Sequence, residues 1–101
     1  MSRELKALEK YMEVAAEVKK VVLEVDPEAE VYVFGSVVRG DYTAASDIDI
    51  LVVTEKVDRK YEIMTRVYQR VDAPVELHVV TRRLYTEWYR RFIPESELVK
   101  V

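Results

Sequence analysis

Apolar residues recur at steps of three and four from Ser2 to Val25: Leu5, Leu8, Met12, Ala15, Val18, Val22 and Val25, with Glu9, Glu13, Lys20 and Glu24 on the other side. That spacing predicts one amphipathic helix, closed by Asp26-Pro27. The period then changes. Residues 31 to 34 (VYVF) and 48 to 53 (IDILVV) are apolar runs of strand length, and each is expected to form a short buried strand. Ile63, Met64, Val67, Tyr68 and Val71 return to helical spacing and stop before Pro74. From Val75 to Val80, Glu76 and His78 alternate with Val75, Leu77 and Val79, which marks a strand with one apolar and one mixed face. Thr81 suits the N-cap of a last helix, whose Leu84, Tyr85, Trp88, Tyr89 and Phe92 line one side opposite Arg83 and Arg90. This aromatic stripe is expected to cover the sheet. Its other reading is a protein interface, where Trp, Tyr and Arg are favoured. Residues 93 to 101 read as a tail.

Composition narrows the picture. At 101 residues the chain is expected to be one domain, 1–101, because two cores would each bury too little apolar area. Half the residues are hydrophobic and 35% are charged, as in a globular protein rather than a disordered one. With no cysteine there is neither a disulfide framework nor a thiolate metal site, and with no asparagine there is no N-glycosylation site. Together with the lack of a signal peptide or a long uncharged apolar run, this points to the cytoplasm and away from a membrane. The formal net charge of −3 gives no general footprint for a nucleic acid, which would need a local basic patch. Abundant Glu, Lys and Arg fit the bias of thermophile proteins.

The chain's two glycines, Gly35 and Gly40, both fall in the stretch G-S-V-V-R-G directly after the first strand. Glycine there tolerates positive φ and lets another group approach the backbone. Ser36 follows where a turn or short helix begins, so its hydroxyl and nearby N–H groups suit an anion such as phosphate. A tight turn with a capping serine is the simpler alternative. Asp47 and Asp49 alter the balance, because residues two apart on a strand project to one side. At a separation of about 6 Å and an effective dielectric near 20, their repulsion is on the order of 3 kcal/mol. A divalent cation reverses that sign, and hard carboxylate oxygens suit magnesium or manganese, which are commonly shared with substrate phosphates. Solvated acids at the start of a strand are the competing reading.

The combination resembles the nucleotidyltransferase superfamily that includes DNA polymerase beta. Gly35-Ser36, ten intervening residues and Asp47-Ile48-Asp49 reproduce its signature. The stretch is most similar to the minimal nucleotidyltransferases, on Gly35, Ser36, Arg39, Gly40, Ser46, Asp47, Asp49, Ile50, Leu51 and Val52. The resemblance implies an α+β, sandwich-like fold with a small mixed sheet flanked by helices. It also implies a third metal-binding carboxylate on a neighbouring strand, a role carried over to Glu76, where the family usually has aspartate. Asp47, Asp49 and Glu76 would then hold two Mg2+ ions, or Mn2+, while Gly35, Ser36, Arg39 and Ser46 contact the nucleotide. Arg39 reads either as a phosphate partner or as a partner of the motif-loop acids. His78 reads as a surface histidine of the strand, or as a group that polarises substrate or orients Glu76.

The activity so implied is transfer of a nucleoside monophosphate, AMP from ATP, to a hydroxyl acceptor. Members of this group commonly act as antitoxins beside a HEPN-domain toxin, so a toxin tyrosine is the expected acceptor, and a binding module that blocks its partner without turnover is the alternative. P-loop and Rossmann readings lack their glycine patterns. A response-regulator reading fails because the acidic pair precedes its apolar run.

Overall fold

The computed structural model describes residues 3–101, with side chains described from residue 6 onward. Ser2 and the Leu5 side chain of the first apolar stripe lie outside the described residues. The stretch expected to be one helix is two, α1 (Arg3–Glu9) and α2 (Tyr11–Val25). The break falls at Lys10, whose φ of −108° and ψ of 36° leave the helical region. Lysine is a good helix former, so nothing in the local sequence marks the break. Ala15, Val18, Val21, Val22 and Val25 of α2 are buried against the sheet.

The sheet has four strands in the order β3-β2-β1-β4. β1 (Glu30–Phe34) and β2 (Ile48–Val53) pair antiparallel, while β2 and β3 (Val75–Val80) run parallel. A parallel pair needs a crossover, and α4 (Lys60–Arg70) provides it, burying Ile63 and Val67. The tail reading of residues 93 to 101 is corrected here, since Val99–Lys100 form β4 against β1. The Val101 N–H donates to the Val31 carbonyl at 2.9 Å, and Lys19 Nζ donates to the Val101 carbonyl at 2.8 Å. A two-residue strand is too short to show alternation.

Strand parity separates two faces. Val31, Val33, Ile48, Ile50, Val52, Leu77 and Val79 face α2 and α4 in the main core. Tyr32, Leu51, Val53 and Val80 pack on the opposite face beneath Tyr85. Tyr85 belongs to α5 (82–92), which is α-helical at both ends and a π-turn over Tyr85–Tyr89. Thr81 caps it as expected, its hydroxyl accepting from the Leu84 N–H at 3.2 Å. The aromatic stripe is split. Tyr85 is buried and stacks on Tyr32 at 5.2 Å, whereas Trp88 and Phe92 are 57% and 65% exposed.

One buried polar link joins the ends of α2 and β2. Asp26 Oδ2 accepts the Thr54 hydroxyl at 2.5 Å, and its Oδ1 accepts the Glu28 N–H at 3.0 Å. Among the described residues, no helix is long and apolar enough to cross a membrane.

Candidate active site

The half of this second face that α5 leaves uncovered carries the polar residues. Register places Phe34, Asp49 and Glu76 side by side across β1, β2 and β3. His78 stands two residues beyond Glu76 on the same face, beside Leu51. Ligand atoms of Asp49, Glu76 and His78 all lie within 4.8 Å of one another. Asp49 and His78 are partly buried and Glu76 is exposed, so the group opens to solvent from a floor of sheet. The rings of Phe34 and Tyr89 lie 5.2 and 6.1 Å from the His78 ring and wall off its other sides. Burial pushes the Tyr89 phenol up from its ordinary pKa, keeping that wall neutral.

Gly35 forms the next part of the site. Its φ of 86° and ψ of −154° fall in a region essentially reserved for glycine. A Cβ there would stand 2.5 Å from Asp49 Oδ2. Both reasons for a glycine at this position, free φ and close approach, therefore hold together. Gly40 serves only the first. It ends the helical turn α3 (Ser36–Arg39) in the left-handed region at φ 83°, and an added Cβ would meet nothing within 4 Å.

A cleft of about 420 Å³ opens beside Gly35, lined by Ser36, Arg39 and Asp49 on one side and by Phe92, Pro94 and Glu97 on the other. This is within the size range of small-molecule sites. Arg39 Nε lies 3.2 Å from Asp41 Oδ2 and 3.9 Å from Glu97 Oε1. These exposed pairs are weak enough to exchange for a phosphate. Ser46 has a local role: its hydroxyl accepts the Thr43 N–H at 2.9 Å, closing the turn that leads into β2. Asp47 is exposed just before β2 and stands outside the Asp49–Glu76–His78 group.

The donors present suit a divalent cation. Two carboxylates and an imidazole converge, and the backbone opposite is a glycine whose missing Cβ leaves space for Asp49. Two features of the site escape a reading of the sequence: the approach of His78 to Asp49 and the far wall of the cleft. The alternation Glu76-Leu77-His78 signalled that His78 shares a face with Glu76, but only the parallel register brings Asp49 beside both. Phe92, Pro94 and Glu97 reach the cleft because the chain returns to form β4, for which no local signal exists.

A nucleotidyltransferase domain is matched over residues 15–101. The chain belongs to this nucleotidyltransferase family. One similar solved structure, provisionally assigned as a nucleotidyltransferase, shares 32% identity at a TM-score of 0.67, covering 85% of this chain and 95% of that one. Another with the same provisional assignment, from Sulfolobus solfataricus, shares 25% identity at a TM-score of 0.65, covering 99% of this chain and 86% of that one. Comparison with curated proteins gives no match. The mixed sheet with flanking helices is the polymerase beta-like nucleotidyltransferase fold, and the Gly-Ser and acidic residues of this nucleotidyltransferase lie where its β1, β2 and β3 meet.

Proposed function

We propose that this nucleotidyltransferase moves AMP from ATP to a hydroxyl on a protein, a tyrosine of a HEPN-domain toxin, and thereby acts as an antitoxin. The observation that carries the reading is the convergence of Glu76 on Asp49, which itself lines the cleft with Gly35 and Ser36. Asp47, Asp49 and Glu76 would hold divalent magnesium or manganese, which supplies charge neutralisation and a more acidic acceptor hydroxyl. The N–H groups and hydroxyl at Gly35-Ser36 orient the outer phosphates, and Arg39 leaves its surface partners to meet their charge. The acceptor oxygen attacks the α-phosphorus, the bond to the bridging oxygen of the β-phosphate breaks, and pyrophosphate departs; the hydroxyl proton passes to solvent. Positioning and charge supply most of the rate in such transfers.

A protein acceptor is supported by two features. The net charge of −3 does not favour a nucleic acid, and Trp88 and Phe92 pair at 4.6 Å in an exposed patch whose Phe92 also lines the cleft. The same patch favours the second reading, a module that silences its partner by binding alone. Incubation with magnesium, labelled ATP and a HEPN-domain ribonuclease separates them. Label should appear on the ribonuclease and vanish with the double variant Asp47→Asn, Asp49→Asn. Undiminished transfer by that variant would falsify the catalytic assignment, and equal inhibition of the ribonuclease by variant and parent without labelling would establish blockade.

A further inference from the structure

We infer that His78 is a direct ligand of the ion seated on Asp49 and Glu76, giving this nucleotidyltransferase a centre with a nitrogen donor that favours manganese or cobalt over magnesium; the inference rests on the nucleotidyltransferase reading of the site.

Three observations lead to it. His78 Nε2 lies 3.5 Å from Asp49 Oδ1, beyond the 2.7–3.2 Å of a well-formed N–H···O hydrogen bond. Two atoms each about 2.1 Å from a shared ion stand roughly 3 Å apart when adjacent and about 4.2 Å when opposite. The separations here, none above 4.8 Å, are near those values. Second, the imidazole is held by its surroundings. Phe34 and Tyr89 flank the ring, while Nε2 faces Asp49 Oδ1. Third, the donor that converges with Asp49 and Glu76 is the imidazole, so His78 adds a nitrogen to the carboxylates assigned to the ion.

The consequence concerns metal choice. Magnesium demands oxygen ligands and near-ideal octahedral geometry, whereas imidazole binds later divalent metals well and manganese accepts mixed nitrogen and oxygen sets. A His78 ligand therefore shifts preference away from magnesium without altering the two carboxylates.

The chain contains a single histidine, so any imidazole signal from a bound metal has one source. The test loads the full chain with Mn2+ alone, without nucleotide, so that adenine nitrogen cannot contribute, and records electron spin echo modulation together with a binding titration. The parent should show coupling to a directly bound imidazole nitrogen, absent in His78→Ala, which should bind Mn2+ about tenfold or more weakly. His78→Asp restores an all-oxygen set should the alanine variant not fold. It should bind Mn2+ without nitrogen coupling and shift the Mn2+/Mg2+ affinity ratio toward Mg2+. Bound Mn2+ without nitrogen coupling in the parent, unchanged affinity in His78→Ala, or no binding at all would each overturn the inference. Label transfer from ATP is read separately, so loss of the transferase reading and loss of the ligand remain distinguishable.

Discussion

Asp49 Oδ2 fills the space that a side chain on Gly35 would need: a Cβ on residue 35 would stand 2.5 Å from it. The other carboxylate oxygen, Oδ1, faces His78. The strand that ends at Phe34 must therefore turn through a residue without a side chain for Asp49 to reach the donor group. Gly35→Ala meets both the positive φ and the carboxylate. It should lose about 1–3 kcal/mol of stability from backbone strain. It should also lose Mn2+ binding, because the clash is relieved by rotating Asp49 away. Chemical denaturation gives the first effect and metal titration the second; an alanine variant with parental metal affinity would show that Asp49 has another position from which to bind.

Glu76 and Asp49 are adjacent by register, and two carboxylates held together oppose folding unless a cation joins them. The pair opens to water, so the repulsion is well below the buried limit, and about 1 kcal/mol is a reasonable scale. Glu76→Gln should raise the melting temperature of the metal-free protein by about 4 °C, while abolishing the further rise that Mn2+ gives the parent. Thermal scans with chelator and with Mn2+ measure both. A variant destabilised in chelator would mean that Glu76 contributes packing or hydrogen bonding rather than strain at a binding site.

The parts of the fold legible in the sequence are those with a period. β1 and β2 fell where their apolar runs put them, because both of their faces are buried, and β3 and α4 fell where alternation and helical spacing put them. The break at Lys10 and the strand Val99–Lys100 were not legible. Neither has a local cause: the first lacks a helix breaker, and the second is fixed by hydrogen bonds to β1, distant in sequence. The site divides along the same line. Gly35, Ser36, Asp47 and Asp49 were singled out by their spacing, and Glu76 by the third carboxylate that the family resemblance implies on a neighbouring strand. The approach of His78 to Asp49 depended on the parallel register, which no local pattern encodes.

The division of the aromatic stripe on α5 gives a stability test. The π-turn over Tyr85–Tyr89 directs Tyr85 onto Tyr32 and Tyr89 toward Phe34, and leaves Trp88 outside. Tyr85→Ala removes a buried ring and should cost about 3 kcal/mol. Trp88→Ala should change stability by no more than about 0.5 kcal/mol, although it removes the larger ring. Urea unfolding of both variants decides this; comparable losses would mean that Trp88 is packed against the domain in solution.

Acid stability should trace to Asp26. Its carboxylate is buried at 4% exposure. Burial alone raises its pKa, but the Thr54 hydroxyl and the Glu28 N–H, with the Lys56 charge nearby, outweigh this and hold it below the ordinary aspartate value. A group whose pKa is lower folded than unfolded contributes stability that is complete above the unfolded value, about 3.9. That contribution is lost as pH falls through the folded value. Thr54 also accepts the Lys56 N–H at 3.0 Å, so one hydroxyl links the loop after β2 to the end of α2. Thr54→Val keeps the shape and deletes the link, leaving a buried carboxylate oxygen and an amide short of partners, and should cost about 1–3 kcal/mol at neutral pH. The deficit should shrink as pH drops below about 4, because protonation weakens the same interaction in the parent. Urea midpoints of parent and variant at neutral pH and in acid check this. A gap that stays constant with pH would place the loss in packing rather than in the charged hydrogen bond.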